Sequence, residues 1–300
     1  MKESDSSLYR YTLQTLYRYL GIMLCVAIIL GILHYFFLDL KEGGVYWFNL
    51  DKERNIQTWF SGVIFFLIGF TSIFVYSCEK KYNEQNGYYF RLPILWLGVA
   101  LVGFFMSLDE ITILHENLFW REIRYLTVGF NNSWRYLTQW QVLFAPAILL
   151  ILCYFIIFFS NRFSISNKVR NNAFIGIGCW MGALFLEGIR HTFKLAGSFW
   201  YSLHVLFEEE LEMIGGIFLL GTIALYSIII TLDFTSERCN YLKRSKRFLS
   251  KRAIVGLILI ILGFSAISCT IYLFARRHAL KGVPIPSLYR KAMKTMPKKG

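Results

Sequence analysis

Charged side chains are scarce in this chain. Only 17% of its 300 residues are Asp, Glu, Lys or Arg, against roughly a quarter in an ordinary soluble domain. Apolar residues fill the deficit: 56% are hydrophobic, 18% are aromatic and the mean hydropathy is +0.46. A soluble surface built from so few charges carries large apolar patches and aggregates. The composition therefore excludes an ordinary soluble domain and points to lipid as the solvent. Proline is rare as well, five in all. Spans broken at mid-depth by proline, a common pointer to transporters, are not apparent. The six cysteines (Cys25, Cys78, Cys153, Cys179, Cys239, Cys269) form no CxxC pair. They read as small buried hydrophobes rather than a disulfide frame or a thiolate metal site. Internal repeats, GxGxxG loops and basic stripes interleaved with exposed aromatics are all missing, so no nucleic-acid partner is expected. The first apolar run is flanked by Tyr17, Arg18 and Tyr19 and has no small-x-small cleavage site. It reads as a retained span rather than a leader.

What is present is a succession of long apolar runs. At roughly 20 residues per crossing, they predict an all-α polytopic transmembrane helix bundle of about seven spans, near 19–39, 57–77, 92–116, 139–160, 173–193, 205–231 and 253–275. Residues 1–275 form one bundle in this reading, and 276–300 a basic tail. The runs are unbroken rather than alternating, so helices and not barrel strands satisfy the backbone in lipid. Tyr and Trp gather at many span ends as interfacial anchors. Glycines such as Gly62, Gly69, Gly103, Gly215 and Gly216 suit close helix packing. The fifth span is too short to cross between Asn172 and Glu187, and must continue through Glu187, Arg190 and His191. The sixth can cross from Met213 to Leu232 alone, leaving Glu208, Glu209, Glu210 and Glu212 in the headgroup zone. The aromatic segment 117–139 is expected to lie flat on the surface.

The net charge is +13. Loops after spans 2, 4 and 6 carry thirteen Lys and Arg, those after spans 1, 3 and 5 carry seven. The positive-inside rule then puts the N-terminus in the cytoplasm. The eight Lys and Arg from Arg276 onward argue the other way if seven spans hold. Membrane lipids are the expected partners, with anionic headgroups at the basic loop 238–252.

One feature exceeds a generic bundle. Span 3 ends in Ser107-Leu108-Asp109-Glu110 and runs on to His115-Glu116. Span 5 ends with Glu187, Arg190 and His191, span 6 begins with His204 and Glu208–Glu212, and His34 lies late in span 1. Because spans 1, 3 and 5 run one way and span 6 the other, four of the five histidines and most intramembrane acids fall in one slab, whichever way the chain inserts. At 100° per residue His204, Glu208 and Glu212 share a stripe that Gly215 continues, Glu210 points away from it, and Glu187 and His191 form an i,i+4 pair. Carboxylates and imidazoles so placed can ligate a metal inside a bundle or relay protons. The bland alternatives are acids that stabilise a helix's first turn and a Glu187–Arg190 ion pair that fixes packing.

The strings Ser107-Leu108-Asp109-Glu110…His115-Glu116 and Glu208-Glu209…Glu212-Met213 resemble segments of uncharacterised bacterial multi-pass membrane proteins. That resemblance implies no activity and places the chain in a bacterial inner membrane. The seven-span zinc hydrolases of the alkaline ceramidase type pair histidines as HxxxH. Here the pairs are ExxxH at Glu187/His191 and HxxxE at His204/Glu208. Histidine-box desaturases need more histidines than five.

Three functions follow from the slab. A metal-dependent enzyme acting on a lipid-like substrate would hold zinc or iron with Glu187, His191, Glu208, Glu212 and Asp109, with His204 and Asp109 as catalytic groups. A proton- or cation-linked transporter or channel subunit would use the same acids as binding groups. A structural accessory subunit would use them for assembly.

Overall fold

The computed structural model describes residues 3–37, 55–86, 92–112, 140–196 and 198–235. Six α-helices account for nearly all of them: α1 (Glu3–Phe37), α2 (Ile56–Asn86), α3 (Leu95–Thr112), α4 (Trp140–Arg162), α5 (Asn167–Ala196) and α6 (Ser198–Thr235). A 3-10 turn, Phe163–Ile165, joins α4 to α5. Among the described residues there is no strand.

Five stretches are long and apolar enough to cross a membrane: Tyr9–His34, Ile56–Gln85, Leu95–Thr112, Ala147–Ile165 and Phe199–Thr231. The chain is therefore an all-α, multi-pass membrane protein. Of the seven expected spans, 253–275 lies outside the described residues, as do segment 117–139, loop 238–252 and the tail 276–300. The expected fifth span lies within α5, which is not among the five. Asn167, Lys168, Arg170, Asn171 and Asn172 dilute its start, yet one face is exposed and apolar through Phe174, Ile175, Met181 and Phe185. Similar faces on α2 (Trp59, Val63, Phe66, Phe70) and α3 (Leu97, Leu101, Phe105, Leu108) suit contact with lipid.

Two compact units divide the chain, residues 1–114 with 152–248, and residues 115–151 with 249–300. The first unit contains the interior described below; of the second, the described residues are the first half of α4. Glycines set the helix contacts of the first unit. α2 and α3 run antiparallel and touch backbone to backbone: a Cβ on Gly103 would lie 2.8 Å from the Gly69 nitrogen and 3.0 Å from the Phe65 carbonyl. α5 and α6 are antiparallel too, and a Cβ on Gly176 would lie 2.9 Å from the Gly215 carbonyl. α1 lies antiparallel to α6, with Leu20 against Gly221 and Leu206 against Gly31. Small residues at such seams let backbones approach where no hydrophobic drive exists between helices in lipid. Trp180 of α5 packs at a tilt against Phe65 and Phe155 and donates its indole N–H to the Glu212 carbonyl at 3.2 Å. Hydroxyls inside the spans are satisfied by carbonyls one turn back, as Ser72 by Ile68 and Thr222 by Phe218.

Candidate functional site

The late turns of α1, α3 and α5 and the early turns of α2 and α6 meet at one end of the first unit. The contacts that define this end are Leu206 with Gly31, Gly62 with Ser107 and Ile111, and His204 with Leu186. Polar side chains concentrate in its interior. His34, Asn55, Gln57, Thr58, Ser61, Ser107, His204 and Glu208 are all buried there. Asn55 caps α2, accepting from the Thr58 amide at 2.8 Å and the Thr58 hydroxyl at 3.0 Å.

His204 is the best defined group. Its Nε2 lies 2.8 Å from the Leu186 carbonyl of α5, and its Nδ1 lies 3.5 Å from Glu208 Oε2, one turn along α6. A carbonyl oxygen only accepts, so Nε2 carries a hydrogen and donates it. That fixes the tautomer and aims Nδ1 at the carboxylate. At 3.5 Å the contact is an ion pair rather than a formed hydrogen bond, and a proton between Nδ1 and Oε2 would make it favourable. With it on nitrogen the pair is imidazolium–carboxylate. With it on oxygen the pair is a neutral acid donating to a neutral ring. Without it a lone pair faces an anion. The pair sits in a nearly dry setting, with His204 3% and Glu208 7% exposed.

Glu210 points elsewhere. Its carboxylate lies against the Gly31 backbone of α1, in space that only a glycine leaves open, and its Oε1 is buried without a well-formed hydrogen bond. Acids of the first helical turn do not describe these residues: α6 begins at Ser198, and its first turn has no acid. The 33-residue apolar stretch Phe199–Thr231 that contains these acids is longer than one crossing needs, so their headgroup placement stays an expectation.

Asp109, Glu187 and Glu212 are half-buried and each engages a neighbour. Glu110 is also half-buried. The backbones of Arg190 and His191 are helical in α5, while their side chains, like residues His115 and Glu116, lie outside the described residues. Among the described residues no three His, Cys, Asp or Glu side chains converge as a metal-holding group.

At the opposite end is a cluster that sequence reasoning missed. Glu79 of α2 is fully buried. Its Oε1 accepts from the Trp96 indole of α3 at 2.9 Å and from the Tyr226 hydroxyl of α6 at 2.7 Å. Arg162, the last residue of α4, brings Nη2 to 3.0 Å of Glu79 Oε2 and donates to the Leu92 carbonyl at 3.3 Å. Its guanidinium also lies 5.4 Å from the centre of the Phe158 ring. Trp96, Phe158, Phe159, Phe163 and Tyr226 pack around this charge with centroids 4.9–6.1 Å apart. Tyr154 donates to the Leu95 carbonyl beside it. In the sequence Arg162 is one of the thirteen basic residues of the loops after spans 2, 4 and 6. The signal was helical spacing: Ile68, Ser72, Val75, Glu79 and Tyr82 make one buried stripe that continues past the apolar run.

A family model described as a domain of unknown function (DUF8692) matches residues 19–227, and the chain belongs to that family. No curated protein and no solved structure matches the chain.

Proposed function

We propose that this member of the DUF8692 family is a proton- or cation-linked transport protein, or the proton-handling subunit of one, whose working group is the His204–Glu208 pair. The observation that carries this reading is the commitment of both ring nitrogens: Nε2 to the Leu186 carbonyl and Nδ1 to Glu208. A ring held this way is arranged to exchange a proton rather than to offer a lone pair to a metal. An ionisable pair at this depth is costly, which favours a functional role. The buried polar side chains of the first turns of α2 and of late α3 gather at the same end as the pair. The loop charge pattern would put this end on the outer side of the inner membrane of a bacterium.

The test is proton flux in liposomes that enclose a pH-sensitive dye, with His204→Gln and Glu208→Gln beside the unaltered protein. We expect flux in the unaltered protein and its loss in both variants, each still folded by gel filtration. Flux that is absent, or indifferent to both substitutions, would sink the proposal. The metalloenzyme reading makes a separate demand, near-stoichiometric zinc or iron that disappears in Glu187→Ala/His191→Ala. Elemental analysis of protein purified without chelators decides it, and the proton reading expects only substoichiometric metal.

A further inference from the structure

Three features of the Glu79 end share one side chain. Leu92 enters α3 with φ 53°, in the left-handed region, which a branched side chain rarely adopts and which is more restricted still before Pro93. The amides of Leu95, Trp96 and Leu97 bond to the carbonyls of Leu92, Pro93 and Ile94 at 2.9–3.1 Å, so the first turn of α3 is wound tightly onto that strained residue. Arg162 donates to the same Leu92 carbonyl while its charge is anchored on Glu79. Arg162 is itself the point where α4 gives way to the 3-10 turn. Strain of this kind persists only where surrounding contacts impose it.

We propose that Arg162 is a latch that holds the start of α3 in its strained setting. The backbone contact of Gly69 with Gly103 is the pivot about which α3 tilts when the latch opens. Glu79 anchors the latch, and Trp96 and Tyr226 fix Glu79. α3 is a single unbroken helix of 18 residues, so movement at Leu95 is carried past the pivot to Ser107 and Asp109, at the end that holds His204. The inference stands on the α2–α3–α4 geometry and is independent of what the His204–Glu208 pair does.

Hydrogen exchange on the full chain in detergent tests the latch. In Glu79→Gln/Arg162→Met the amides of Leu95, Trp96 and Leu97 should exchange about tenfold faster or more, the scale set by one strained residue. Adding Leu92→Gly should restore protection, because glycine adopts the left-handed conformation without penalty and needs no latch. Arg162→Lys keeps a charge beside Glu79 on a stem one bond shorter than the one that brings Nη2 to both Glu79 and the Leu92 carbonyl. It should show the same acceleration and the same reversal, and it serves if the double variant does not fold. Spin labels at Leu108 of α3 and Phe185 of α5, both exposed, in a background without the native cysteines, report the tilt as a shifted distance distribution that Leu92→Gly returns. Unchanged exchange in the latch variants, acceleration that Leu92→Gly does not reverse, or an unmoved label distance would each overturn the proposal.

Discussion

At the Glu79 end, one carboxylate meets an indole N–H, a phenol and a guanidinium supplied by three other helices. At the His204 end, an imidazole and a carboxylate from the same helix lie 3.5 Å apart, and a second carboxylate lies against bare backbone. Both ends bury ionisable groups in spans. The first arrangement gives Oε1 two donors and Oε2 a counter-charge, each from another helix, which suits a fixed junction. The second is matched only while a proton is present, which suits exchange. Burial alone therefore does not identify a working group in a membrane interior. The number and permanence of its partners does.

The sharpest way to break this comparison is Glu79→Ala. It leaves the Arg162 guanidinium buried without its counter-charge, a change that costs about 3–5 kcal/mol in well-studied buried pairs. We expect a large loss of thermal midpoint and of monodisperse protein in detergent. A near-normal midpoint would show that the Glu79 end is no junction. Tyr226→Phe is milder. It removes one of two donors to Glu79 Oε1 while preserving the aromatic packing, and hydrogen bonds to charged groups contribute about 1.5–3 kcal/mol. The midpoint should fall by less than in Glu79→Ala, and proton flux should persist.

How far the sequence announced these ends depends on which physics each uses. Membrane class and helical architecture were legible because they follow from summed hydropathy, which needs no tertiary knowledge. The gathering of His34, Asp109, Glu187 and His204 toward one end was legible from alternating span direction alone. The division of labour within α6 was partly legible: helical phase separated Glu210 from the His204–Glu208 stripe, and the structure sends the one to α1 and the other toward α5. Glu79 was not found because the apolar run ends before it, while the helix continues to Asn86 and its buried stripe to Tyr82. Arg162 enters the sequence reading only as one of the basic residues after span 4, because position at a span end is ambiguous until a partner is known. Leu92 could not be foreseen at all, since no sequence pattern marks a leucine for a left-handed φ.

A pair of glycines on α5 sharpens the distinction between seam and lipid face. Gly176→Ala would place its Cβ 2.9 Å from the Gly215 carbonyl and the Leu219 side chain, and backbone cannot step aside cheaply. Overpacking of this kind costs about 1–3 kcal/mol. Gly178, two residues on, has nothing within 4 Å of the same position. Gly178→Ala should be neutral or favourable by up to about 1 kcal/mol through helix propensity. Thermal midpoints measured side by side check the sign of each, and equal losses would mean that α5 presents a different face to α6.

Gly31→Ala is expected to change stability least and to say most about the His204 end. Its Cβ would collide with the Glu210 carboxylate and lie 3.0 Å from a Leu206 methyl. Both obstacles are the far ends of flexible side chains, so the helices need not separate, and the midpoint should move by less than about 1 kcal/mol equivalent. The carboxylate, however, must leave its place against α1. If proton handling at this end draws on Glu210 as well as on the His204–Glu208 pair, flux falls in Gly31→Ala although the fold is intact. If Glu210 is a bystander, flux is unchanged. A lowered flux with an unchanged midpoint would separate function from stability at one end of the bundle, as Tyr226→Phe should separate them in the opposite sense at the other.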